Sequence, residues 1–104
     1  MARDMSIFKS SEFVNLCKIH QVKELYAFGS VGRGTDTDTS DIDLIVEIDE
    51  ANPISKGKLL LSLYNKLTVF FNKKVDLLTF DSVKNPILEE YIGTSKKIVY
   101  AREL

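Results

Sequence analysis

Asp41-Ile42-Asp43-Leu44-Ile45-Val46-Glu47-Ile48 is the stretch on which the fold turns. Ile42, Leu44, Val46 and Ile48 alternate with Asp41, Asp43, Ile45 and Glu47, the period-two pattern of a strand with one buried face. Asp41 and Asp43 therefore project from the same face, about 7 Å apart along the chain, and away from the core. Two neighbouring carboxylates repel, and a fold tolerates that best with a divalent cation between them.

Upstream, Glu24-Leu-Tyr-Ala-Phe28 reads as a strand stopped by Gly29, and a turn-rich block runs from Gly29 to Ser40. Gly29-Ser30 followed by Gly32 and Gly34 leaves backbone N–H groups uncovered; with the Ser30 hydroxyl these can cradle phosphate oxygens. Arg33 adds a cationic fork suited to phosphate. Three similar patterns fail here. Gly29-x-x-x-x-Gly34 is followed by Thr35 where a P-loop needs lysine, and Gly32-x-Gly34 meets Thr37 where a dinucleotide fingerprint needs its third glycine. Asp36, Asp38, Ser40 and Glu47 have EF-hand spacing, but Asp41 stands where that loop needs glycine, and a strand follows instead of a helix.

Working outward, Ser10 or Ser11 can cap a helix carrying Phe13, Leu16, Cys17 and His20, ending near Gln21. Pro53 opens a second helix whose stripe of Leu60, Leu63, Tyr64, Leu67 and Phe70 or Phe71 persists for about three turns. Val75 to Phe80 is a further strand, with Val75 and Leu77 on one face and Asp76, Leu78 and Phe80 on the other. Pro86 opens a last helix with Ile87 or Leu88, Tyr91 and Ile92, and Ile98-Val-Tyr100 docks as an edge strand. The expected fold is α+β: a small mixed sheet of about three to four strands with helices packed on one face.

Asp76 interrupts an otherwise apolar strand, and it faces the Asp41/Asp43 side if the two strands are neighbours. Taken singly, each carboxylate has an ordinary role: Asp41 ends a loop, Asp43 is solvated, Asp76 marks an edge. Together, three oxygen ligands without His or Cys suit a hard cation, Mg2+ or Mn2+.

The 104 residues fit one domain, 1–104, large enough to fold without disulfides or a structural metal. Hydrophobic residues at 44% and charged residues at 28% describe an ordinary globular chain and exclude disorder. Lys and Arg number 14 against 15 Asp and Glu, so no global basic field exists for bulk nucleic-acid binding. Cys17 is alone and has only His20 beside it, which excludes an internal disulfide and a Cys/His zinc set and points to a reducing, cytoplasmic setting. No apolar run is long enough for a signal segment or a membrane span.

Gly29-Ser30, ten residues, then Asp41-Ile42-Asp43 resembles the signature of the polymerase β-like nucleotidyltransferase superfamily. The short form, with Arg33-Gly34, Ser40 to Leu44 and later Val75-Asp76-Leu77, is similar to its minimal nucleotidyltransferases (MNT). The resemblance covers essentially the whole chain and is densest between Tyr26 and Glu47. It implies the polymerase β palm-like fold, with Asp41 and Asp43 binding a pair of Mg2+ ions. It further implies that Asp76 binds one of them and helps activate the attacking hydroxyl, and that Gly29 and Ser30 hold a triphosphate, with Arg33 as a further contact. Two-cation chemistry of this kind drives an in-line displacement at the α-phosphorus without a protein nucleophile.

Relatives that act on small molecules or nucleic acids carry a second, helical domain for the acceptor, for which 104 residues leave no room. In MNT systems the acceptor is a HEPN-domain toxin, and the MNT protein acts as antitoxin by moving AMP from ATP to its tyrosine. The resemblance thus implies ATP and a HEPN toxin as partners. Two alternatives stand beside it: an antitoxin that neutralises by binding alone, and a free-standing nucleotidyltransferase for a small hydroxylated substrate. The second needs a homo-oligomer to supply the missing wall.

Overall fold

The computed structural model describes residues 5–35 and 41–102. A 3-10 turn, Met5–Lys9, leads into α1 (Ser11–Ile19), and Ser10 is the cap: its hydroxyl oxygen accepts the Phe13 N–H at 3.2 Å. β1 (Val22–Phe28) runs directly into a one-turn helix, α2 (Gly29–Arg33). β2 (Ile42–Ile48) is followed by α3 (Pro53–Phe71), whose N–H groups at Ile54 and Ser55 are capped by Asn52. At 19 residues α3 is about five turns long, two more than its apolar stripe marks, because the extra turns carry mostly exposed residues. β3 (Val75–Thr79), a 3-10 turn at Phe80–Ser82, α4 (Pro86–Ser95) and β4 (Lys97–Ala101) complete the order.

The four strands form one mixed sheet in the order β3-β2-β1-β4. β1 pairs antiparallel with both β2 and β4, so the closing segment is an edge strand as expected. β2 and β3 are parallel, joined by α3 as a β-α-β unit, and their register sets Ile42 against Val75 and Asp43 against Asp76.

The period-two reading of the strands is what divides the molecule. Ile42, Leu44 and Val46 of β2, Leu25 and Ala27 of β1 and Val75 of β3 face α1 and α3, where Phe13, Leu63 and Leu67 are fully buried. Phe8, Phe13, Phe70 and Phe71 add a ring cluster with centroids 5.0–6.2 Å apart. His20 is buried and ties the two helices: Nδ1 meets the Leu16 carbonyl at 2.7 Å and Nε2 the Ser62 hydroxyl at 2.8 Å. Burial pushes the Cys17 thiol up to about 12, which leaves it unreactive.

The expectation of helices on one face holds for α1 and α3 and is corrected by α4. That helix lies on the opposite face, where Ile92 packs on Phe28 and Ile45 beside Tyr26 and Leu78. Ile45 is the reason: an apolar residue on the acidic face of β2, 1% exposed, needs a cover, and α4 supplies it. Half of that face is therefore core, and the carboxylates occupy the remainder. Among the described residues no helix is long and apolar enough to cross a membrane.

Candidate functional site

The site is built where β1 ends and β2 and β3 begin. The antiparallel register sets Phe28 against Asp43 and the parallel register sets Asp43 against Asp76, so three strands meet at one end of the sheet. The Asp43 and Asp76 carboxyl groups lie within interacting distance of each other. Burial is the largest influence on Asp43, followed by the Asp76 carboxyl and then the charge of Asp41; together they raise its pKa to about 6, against a weaker opposing pull from Lys74.

Asp41 stands one residue before β2 and is exposed. The same parallel register continues into it, with the Ile42 N–H donating to the Lys74 carbonyl at 3.1 Å, and Lys74 Nζ lies 4.0 Å from Asp41 Oδ2. The three expected ligands are thus drawn together as a close pair with a third nearby. Among the described residues no group of three His, Cys, Asp or Glu side chains is gathered tightly enough to grip a metal ion as it stands. The donors fit a hard cation nonetheless, because all are carboxylate oxygens and the surroundings of Asp43 disfavour its negative charge unless a cation offsets it. The Asp41–Lys74 pair is half exposed and long, worth about 0–1 kcal/mol, so Asp41 is easily released to a stronger partner.

Gly29 is the floor of the site. Its φ of +64° is one that side-chain-bearing residues rarely adopt, and a Cβ there would lie 2.8 Å from Asp43 Oδ2 and 3.3 Å from the Tyr91 hydroxyl. Glycine both turns the chain out of β1 and lets the carboxylate approach the main chain. The stretch Gly29-Ser-Val-Gly-Arg33 is helical although its glycines suggest a turn, and packing explains it: at Gly32 the backbone passes so close to α4 that a Cβ would meet the Ser95 carbonyl. Gly34 ends the turn in the left-handed conformation.

The expected phosphate contact at Gly29 has a partner within the chain. The Gly29 N–H is already committed, donating to Ser95 Oγ at 3.0 Å, while Ser95 Oγ donates to the Tyr91 carbonyl at 2.7 Å. What α2 leaves open in its first turn are the following N–H groups and the Ser30 hydroxyl. Arg33 is exposed, with its guanidinium 5.3 Å from the centre of the Tyr91 ring. Tyr91, Ser95 and Lys74 are site residues that sequence reasoning missed. Tyr91 was legible only as part of an apolar helix stripe, and nothing in the sequence marks Ser95 or Lys74. Residues 36–40, which include the acidic part of the rejected calcium loop and Ser40 of the signature, lie outside the described residues. A cleft of about 430 Å3 opens beside the pair, with Asp43 and Asp76 at its base and Phe28, Leu78 and Leu88 in its walls.

The pKa of Asp43 gives a stability signature. Its folded value lies above its ordinary value of 3.8, so between about pH 4 and pH 6 the folded state holds a proton that the unfolded state has lost. Stability from this group is present below that window and is lost as pH rises through it. In chelator-treated buffer the melting temperature of the wild type, measured relative to Asp43→Asn, should fall from pH 4 to pH 6. A flat difference would show that Asp43 keeps its ordinary pKa in the folded state. Asp49 and Asp81 shift the other way and are fully exposed, so what they contribute is lost only at lower pH.

Comparison with known proteins agrees with this geometry. The family model described as polymerase beta, nucleotidyltransferase matches residues 12–103. A Methanocaldococcus jannaschii protein named "Putative protein adenylyltransferase MJ1379" is 41% identical over 73 residues, which are 70% of this chain and 72% of the relative. A solved structure described as a "putative minimal nucleotidyltransferase" superposes with a TM-score of 0.62 at 26% identity, covering 91% of this chain and 95% of that one. The fold is also that of a Shewanella oneidensis complex described as a tri-AMPylated HEPN toxin with its MNT antitoxin, with a TM-score of 0.57, 19% identity, and 96% and 75% coverage. Carboxylates at the head of β2 and β3, a Gly-Ser turn closing β1 and a family match over almost the full length agree. The chain belongs to the polymerase beta nucleotidyltransferase family.

Proposed function

We propose that this protein transfers AMP from ATP to a tyrosine hydroxyl of a HEPN-domain toxin and so acts as its antitoxin. The observation that carries the reading is the Asp43–Asp76 carboxyl pair lying against Gly29, because it sets an anionic, oxygen-only donor set beside a turn with open N–H groups. The adenylyltransferase relative and the AMP-bearing toxin complex support the reaction and the partner.

Asp41, Asp43 and Asp76 are the side chains that would hold Mg2+ or Mn2+. When bound, such ions neutralise charge at the α-phosphorus and on the departing pyrophosphate. Ser30 and the N–H groups of α2 bind the triphosphate, and Arg33 adds a cation at their edge. The cleft beside Leu78 and Leu88 receives the acceptor. Asp76, the more exposed of the pair, takes the proton of the incoming hydroxyl as its oxygen bonds to the α-phosphorus and the bond to pyrophosphate breaks. Ser30→Ala removes one of several phosphate contacts and should cost less than any carboxylate change.

The test mixes the purified protein with a HEPN toxin encoded beside it, ATP and Mg2+, and weighs the toxin by intact-protein mass spectrometry. The toxin should gain one or more AMP units, and none with Asp41→Asn/Asp43→Asn. Neutralisation without any gain in mass would show an antitoxin that works by binding.

A further inference from the structure

α4 does more than cover Ile45. Its last two turns make three separate contacts with the Gly29–Arg33 helix. The Ser95 hydroxyl accepts the Gly29 N–H and hands its own proton to the Tyr91 carbonyl, the Ser95 main chain closes on Gly32, and the Tyr91 ring lies under the Arg33 guanidinium. The Tyr91 ring is itself held, edge to face, against Phe28 at 6.5 Å, with its hydroxyl turned toward Gly29 and the Asp43 carboxylate. Arg33 is exposed and has a long, flexible stem, so an unsupported guanidinium would sample many rotamers. A ring face that attracts it confines that sampling to the side of α2 that faces α4.

We propose that Tyr91 is a positioning residue for the nucleotide, its ring holding the Arg33 guanidinium at the phosphate-binding edge of the site. This rests on the reading of the site as one that binds ATP. The ring does the work and the hydroxyl is secondary, which separates this role from a hydroxyl contact to substrate. The juxtaposition is specific to the tertiary structure, since 58 positions separate the two residues and nothing in their local sequence pairs them.

The test is a double-mutant cycle on the affinity for ATP in the presence of Mg2+, measured by calorimetry on the full chain. Tyr91→Met keeps bulk against Phe28 but removes the ring, and should raise the Kd about three- to fivefold, as expected for one partly exposed cation–π contact. Arg33→Gln should raise it by about tenfold, and the double variant no further than Arg33→Gln alone. Tyr91→Phe should restore affinity to within about twofold of wild type. In turnover assays the loss from Tyr91→Met should fall on the KM for ATP and leave kcat within about twofold, whereas general damage to the fold lowers kcat as well. Tyr91→Leu provides a second truncation if the methionine variant does not fold. Additive losses in the double variant, or wild-type affinity in both truncations, overturn the inference while leaving the ATP reading in place. A wild type that binds no ATP overturns that reading and this inference with it.

Discussion

Asp43→Asn should lose transferase activity by roughly a thousandfold or more while the protein melts at the same or a higher temperature at pH 7. The two halves of that expectation have one cause. Asp43 is half-buried, opposite Asp76 in the parallel register and against the Gly29 main chain, and its raised pKa shows that ionising it there is unfavourable. On the proposed reading that charge is kept for its chemistry, so the amide, of equal volume and no charge, would relieve repulsion and remove a proposed cation ligand together. Steady-state rates and thermal melts on the same preparation check this. Full activity in Asp43→Asn would remove the carboxylate from the mechanism, and an unfolded variant would assign it to the structure.

Gly32→Ala should be strongly destabilising. A Cβ at Gly32 would collide with the Ser95 carbonyl oxygen and lie 2.7 Å from the Ala27 carbonyl oxygen. Both are main-chain atoms that no rotamer change can move, so either α2 or α4 must shift. Overpacking of this kind costs about 3 kcal/mol, which for a chain of this size lowers the melting temperature by roughly 10–20 °C. The displacement also moves Ser95 away from Gly29 and Tyr91 away from Arg33, so transferase activity should fall further than stability. Gly57→Ala is the contrast: nothing lies within 4 Å, the site is inside α3, and alanine should stabilise by about 0.5–1 kcal/mol. Paired melting curves that rank the two variants otherwise would show that α2 does not pack on α4 as described.

What the sequence made legible was whatever repeats with a period. The alternation of β2 predicted which side chains face the helices, and the same rule placed Leu78 with Ile45 and Asp76 with Asp43, conditional on β2 and β3 being neighbours. The connection through α3 meets that condition. Boundaries were legible where a residue's chemistry marks a helix start, at Ser10, Pro53 and Pro86. Features set by tertiary contact were not. Gly29 to Arg33 reads as a turn because glycine disfavours helix, and it is helical because α4 lies against it. α4 itself was legible as amphipathic, but its choice of sheet face depends on Ile45, one residue in a strand whose other outward positions are acidic. The commitment of the Gly29 N–H to Ser95 crosses 66 positions and has no local signal.

The most direct measurement of the central claim is which phosphate of ATP reaches the partner protein. With Mg2+, this protein and the proposed HEPN-domain partner, label from α-phosphate-labelled ATP should become covalently attached to the partner and label from γ-phosphate-labelled ATP should not. The transfer should vanish with Asp43→Asn. Label arriving from the γ-position would mean a phosphotransferase, and a partner neutralised with label from neither would contradict the assignment of Asp41, Asp43 and Asp76 to an AMP-transfer site.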